Sequence, residues 1–95
     1  MAYEDVSELG TSATDRSGTI TLGGTAQDAL AVNKSRYEWT LINNSDTLMM
    51  VSAGATASAT AGAPAYPGDV VSGKETNAIS VYCATTGKAF TAWER

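Results

Sequence analysis

The sequence predicts an all-β fold: an antiparallel β-sandwich or small jelly-roll-like barrel with an extended N-terminal arm. Three observations point there. Short runs alternate apolar and polar residues with a period of two, turn-forming residues separate them at short intervals, and no amphipathic stripe of helical length appears. With 95 residues the chain has room for a single core. The expected division is an arm over residues 1–16 and a β-sandwich domain over residues 17–95.

The arm is polar and acidic, with Glu4, Asp5, Glu8 and Asp15. Its apolar residues Tyr3, Val6 and Leu9 recur at three-residue steps, but one or two helical turns do not hold unaided. They are candidate contacts for a neighbouring surface.

From Ser17 the period changes to two. Thr19, Ile20, Thr21 and Leu22 alternate and Gly23-Gly24 closes the run. Ala29 to Val32 is a short candidate strand. Arg36 to Asn43 is the clearest one, with Tyr37, Trp39 and Leu41 on one face and Arg36, Glu38 and Thr40 on the other. Tyr37, Trp39 and Phe90 read as core, because large aromatics dominate cores.

Asn43-Asn44-Ser45-Asp46 is a turn, since Asn and Asp bond their own main chain. Thr47 to Ser52 is expected to pair back as the second arm of a hairpin. Its apolar run Leu48, Met49, Met50, Val51 implies burial on both faces, or on one face against a partner. Gly54 to Ala65 holds only small residues (Ala, Thr, Ser, Gly and Pro64) and reads as a long loop, of the kind that is functional or mobile.

Tyr66-Pro67-Gly68-Asp69 has Pro and Gly in type II turn order. Val70-Val71 opens another strand. Ala78 to Ala84 alternates with Ile79, Val81 and Cys83 on one face and Ser80 and Tyr82 on the other. Thr85-Thr86-Gly87-Lys88 turns the chain into a last strand over Ala89 to Trp93. Tyr66 and Tyr82 are candidates for a contact face. Trp93 either anchors the chain end or meets a partner.

Chemistry is constrained by what the chain lacks. It has no histidine, which removes the commonest general base and metal ligand. Cys83 is the single cysteine, so no internal disulfide forms, and its place in the Ile79–Val81–Cys83 alternation marks it as core. Glu38, Asp46, Asp69 and Glu75 could in principle work as paired carboxylates, but each falls at a strand edge or turn where acids are ordinary. No catalytic residue, cofactor or metal is expected. A binding protein is expected instead of an enzyme.

Net charge is −4, and the six basic residues are scattered singly, which disfavours nucleic acid and anionic membrane as partners. Charged residues make up only 17% against 43% hydrophobic, so part of the surface is expected to be covered by another protein. The first twenty residues hold no charged-then-apolar signal pattern, so Sec-type export is not expected and folding in a reducing cytoplasm is.

Four stretches resemble a family of small structural proteins from tailed-phage and prophage gene clusters. They are GTITLGGTAQ (Gly18 to Gln27), RxxWxLINNSD (Arg36 to Asp46), YPG (Tyr66 to Gly68) and AISVYCATTGKAFTA (Ala78 to Ala92). The last is the most specific, and the residues before Gly18 carry none of the likeness. The resemblance implies a virion β-sandwich of the capsid decoration, or cement, type. Its partners would be the major capsid protein and further copies of itself, a trimer being favoured, on the outer shell of the virion. A head–tail connector, a tail or fibre base and a host-surface adhesin are the alternatives. The residue pattern itself, not the resemblance, supplies the candidate contact residues: Tyr3, Val6, Leu9, Leu48, Met50, Tyr66, Tyr82 and Trp93.

Overall fold

Alternation around Trp39 builds the first sheet. In the computed structural model, which describes residues 13–95, β4 (Trp39–Asn43) buries Trp39, Leu41 and Asn43 and leaves Thr40 and Ile42 half-buried. On one side of β4 runs β9 (Ala89–Glu94), with Leu41 opposite Ala92. On the other runs β7 (Val70–Gly73), with Leu41 opposite Val71. Two short strands, β1 (Thr14–Asp15) and β2 (Gly18–Thr19), share the outer side of β9.

The second sheet has the order β3-β8-β5-β6. It comprises β3 (Gln27–Leu30), β8 (Ile79–Cys83), β5 (Met49–Ala53) and β6 (Ala63–Ala65). All pairings in both sheets are antiparallel. The chain is thus an all-β sandwich, as its alternation predicts. Between the sheets lie Trp39, Leu41, Phe90 and Ala92 from one side and Leu30, Met49, Val51, Ile79, Val81 and Cys83 from the other. Burial of each large apolar side chain among them contributes about 1.5–3 kcal/mol.

The two strand orders run in step: β2 with β3, β9 with β8, β4 with β5, β7 with β6. Chain neighbours therefore tend to face each other across the core instead of pairing edge to edge. This corrects the expected hairpin. β5 bonds to β8 and β6, whereas β4 bonds to β9 and β7, so Asn43 to Leu48 is a corner between sheets. Asn43 makes that corner. Its buried amide donates to the carbonyls of Thr47 (2.8 Å) and Ala65 (2.7 Å), and its Oδ1 accepts from the Ser45 N–H and hydroxyl.

Other boundaries also move. Tyr37 is 63% exposed, not core, because its N–H and that of Glu38 both bond the Arg95 carbonyl and delay the strand to Trp39. Arg36 goes inside in its place. Leu22 and Val32 are exposed, since β2 and β3 end before them. Residues 14–16, expected in the arm, join the first sheet through the β1–β9 pairing and an Arg16–Glu94 ion pair.

The expected long loop carries a strand, β6, at its end. Gly62, with φ +123°, passes so close to β5 that a Cβ would lie 2.9 Å from the Val51 carbonyl oxygen. Small residues there permit strand contact and are not a sign of missing structure. The Tyr66–Asp69 turn forms as the sequence predicts, with Gly68 at φ +87° and the Asp69 N–H bonding the Tyr66 carbonyl at 2.8 Å.

Candidate interaction surface

Period-two alternation sends Met50 and Tyr82 to the outer face of the second sheet, because Met49, Val51, Val81 and Cys83 fill the core. The register sets Met50 directly opposite Tyr82 on one side and Pro64 of β6 on the other. Leu48 and Tyr66 flank the Met49–Ala65 pair and are exposed. The row Pro64–Met50–Tyr82, with Leu48 and Tyr66 at its end, carries no formal charge. Aromatic and methionine side chains of this kind supply large contact area and adaptable packing.

The rest of that outer face is covered. Residues after β5 fold back so that Ala57 is buried and its N–H bonds the Ser80 hydroxyl at 3.0 Å. The small-residue segment thus covers the face at Ser80, while Met50 and Tyr82 are half-buried and Leu48 and Tyr66 exposed beside them.

Four of the expected contact residues therefore meet on one surface: Leu48, Met50, Tyr66 and Tyr82. Trp93 does not join them. It sits half-buried on the outer face of the first sheet, opposite Thr40 and Asp15. Tyr3, Val6 and Leu9 lie outside the described residues. Pro64 was not legible as a contact, because its strand hides in a low-complexity stretch.

The carboxylates are spoken for. Glu38 pairs with Arg95 (2.5 Å) and Asp46 with Lys88 (2.7 Å). Asp69 accepts the Tyr66 N–H at 3.0 Å and Glu75 accepts the indole N–H of Trp39 at 2.9 Å. That indole bond is the main cause holding the Glu75 carboxyl below its ordinary range. The Lys88 ammonium does the same for Asp46.

At the opposite edge of the sandwich, Arg16, Ala29, Ala31, Val32, Asn33 and Glu94 line a cleft. Its one deep acid, Glu94, is already held by Arg16 (2.9 Å) and Arg36 (2.8 Å). Among the described residues no buried side-chain nitrogen or oxygen lacks a hydrogen-bond partner, and no three acidic or cysteine side chains gather to hold a metal. The buried polar side chains are thus bonded within the chain.

Comparison of the chain with protein-family models, with curated proteins and with solved structures finds no match in any of the three.

Proposed function

We propose that this chain is a virion structural protein that decorates the outer surface of a capsid shell. In this reading it binds the major capsid protein and stabilises the shell without catalysing a reaction. The observation that carries the proposal is the convergence of Leu48, Met50, Tyr66 and Tyr82 on one uncharged face, opened by the register of β5 with β6 and β8. A clamp on a protein lattice needs such a face, whose gain comes from apolar area removed from water. The resemblance of Gly18–Gln27, Arg36–Asp46, Tyr66–Gly68 and Ala78–Ala92 to phage decoration proteins supplies the kind of partner. A net charge of −4 keeps such a protein from adhering to nucleic acid during assembly.

The test is retention on particles. Met50→Lys and Tyr82→Glu place charges on the face without entering the core, and deletion of residues 2–12 removes most of the expected arm while leaving β1 in place. Loss of decoration by the charge variants, with folding unchanged, supports the reading. Wild-type occupancy by both charge variants, or a handful of copies at one vertex where a shell needs many, rejects it in favour of a connector, tail or adhesin module.

A further inference from the structure

A sandwich of two open sheets has four edges, and edge strands are templates for unwanted pairing unless something blunts them. Three of the four are blunted here. The β1/β2 edge consists of two-residue pieces broken at Arg16–Ser17. The β3 edge carries a register shift between Asp28 and Leu30. The β6 edge is three residues long with Pro64 at its centre. The fourth, β7, reads Val70-Val71-Ser72-Gly73: continuous, uncharged, without proline or bulge.

Its hydrogen-bonding groups point outward in a definite pattern. The Asn43 N–H bonds the Asp69 carbonyl at 3.0 Å. Bonded and non-bonded pairs alternate along an antiparallel ladder, so Leu41–Val71 and Trp39–Gly73 are the next bonded pairs. Val70 and Ser72 therefore direct their main-chain N–H and C=O groups away from β4. Among the described residues no other strand bonds to β7.

We infer that β7 is a strand-addition edge whose occupant is β7 of a second copy, paired antiparallel about Val71 so that two first sheets join into one. In that register Val70 of each copy faces Ser72 of the other, and all four outward groups of each strand are bonded. Charge favours the orientation. Asp69 precedes the strand and Lys74 follows it, and neither is in an ion pair among the described residues; Lys74 lies over its own Tyr37 ring, and the next acid, Glu75, is turned back to the Trp39 indole at 2.9 Å. Antiparallel pairing brings the Asp69 end of one copy to the Lys74 end of the other, whereas parallel pairing would set like against like. The assembly is two-fold, in place of the trimer that the resemblance implies. It does not depend on the capsid reading and is tested on the isolated protein.

Sedimentation velocity over a concentration series is the measurement. Ser72→Pro deletes an N–H that β4 does not use, so the fold tolerates it while pairing is blocked. The full chain is expected to associate as a dimer, with Ser72→Pro monomeric and its near-ultraviolet circular dichroism unchanged. Should Ser72→Pro not fold, Val70→Lys on the exposed edge is expected to weaken the dimer at least about tenfold. A full chain that stays monomeric, a trimer, or variants that associate like wild type would overturn the inference. So would dimerisation that appears only when residues 2–12 are deleted, since the chain's own N-terminal segment would then be the occupant.

Discussion

Arg36 donates its Nε to Glu94 Oε1 at 2.8 Å, with the two side chains 0% and 5% exposed. The rest of the guanidinium bonds three carbonyls: Glu75 (2.7 Å), Asn77 (2.8 Å) and Ala31 (2.7 Å). Glu94 belongs to the first sheet, while Ala31 follows β3 and Asn77 precedes β8 of the second. One side chain therefore ties both sheets together at this end. Removing a partner from a buried pair costs about 3–5 kcal/mol, because the other charge is left without compensation. Arg36→Met is expected to fall in that range by urea unfolding. Arg36→Lys should recover only part of the loss, since an ammonium cannot reproduce the fork. A change below about 1 kcal/mol in Arg36→Met would show that Arg16 alone sustains Glu94.

Acid stability follows from the same carboxylate. Burial pushes the Glu94 carboxyl up, but hydrogen bonds from Arg36, Arg16 and Asn33 outweigh burial and hold it below the ordinary value of 4.5. Glu75 is lowered as well, mainly by Trp39. A carboxyl depressed in the folded state contributes stability that is present above its unfolded pKa and is lost as pH falls through the folded one. The urea midpoint should hold level from neutral pH down to the region of 4.5 and then drop. Because the chain has no histidine, no side chain of ordinary pKa changes charge between about pH 5 and 8. Glu94→Gln should be less stable at pH 7 and show a shallower acid slope. An unchanged slope would remove Glu94 as the origin.

These interior polar residues were the part of the fold least legible in the sequence. Alternation identified β4, β8 and β9 with their core residues Trp39, Leu41, Ile79, Val81, Cys83 and Phe90, because period two reports directly which face is buried. It could not tell which strands pair. Asn43-Asn44-Ser45-Asp46 has the composition of a hairpin turn, yet it joins two sheets, since local turn chemistry is the same for both. Arg36 and Tyr37 exchanged roles because the strand starts three residues late, at Trp39, which leaves both residues outside its alternation. The contact residues Leu48, Met50, Tyr66 and Tyr82 could be named singly. Only the pairing of β5 with β6 and β8 brings them to one surface.

Asn43 offers a test of the corner independent of charge pairs. Its amide nitrogen donates two hydrogen bonds to carbonyls while its oxygen accepts two from Ser45, so the donor and acceptor ends are each matched to their neighbours. Asn43→Asp keeps the shape but turns the donor into an acceptor facing the Thr47 and Ala65 carbonyls. The Thr47 carbonyl can still take the Ser45 hydroxyl at 3.0 Å, so the loss falls on the buried Ala65 carbonyl, about 1–3 kcal/mol, and more because a charge is buried against it. The variant should lose at least about 3 kcal/mol at pH 7. It should regain part of this as the pH is lowered and the new carboxyl takes up a proton. A uniform loss at every pH would mean that packing of the corner, not donor direction, is what Asn43 provides.

Gly23 and Gly24 stand side by side and are required for different reasons, which substitution by alanine separates. A Cβ on Gly23 would lie 2.5 Å from the Ala84 carbonyl oxygen and 2.6 Å from the Thr86 nitrogen, both backbone atoms that cannot swing aside. The chain is held there by Gly23 N–H bonding the Thr86 hydroxyl and Gly24 N–H bonding the Cys83 carbonyl, each at 2.8 Å. At Gly24 the space is open and the constraint is φ +81°. Gly24→Ala then costs only the left-handed conformation, about 1–2 kcal/mol, while its hydrogen bond survives. Gly23→Ala must push the strand start away from the β8–β9 turn and lose the anchoring bonds with it, which adds to an overpacking cost of about 1–3 kcal/mol. Since 1 kcal/mol shifts Tm by about 4–8 °C in a domain of this size, thermal melts resolve the two. Gly23→Ala should melt lower than Gly24→Ala. The reverse order would show that the turn after β8 yields easily and that close packing there does not hold the β2–β3 connection.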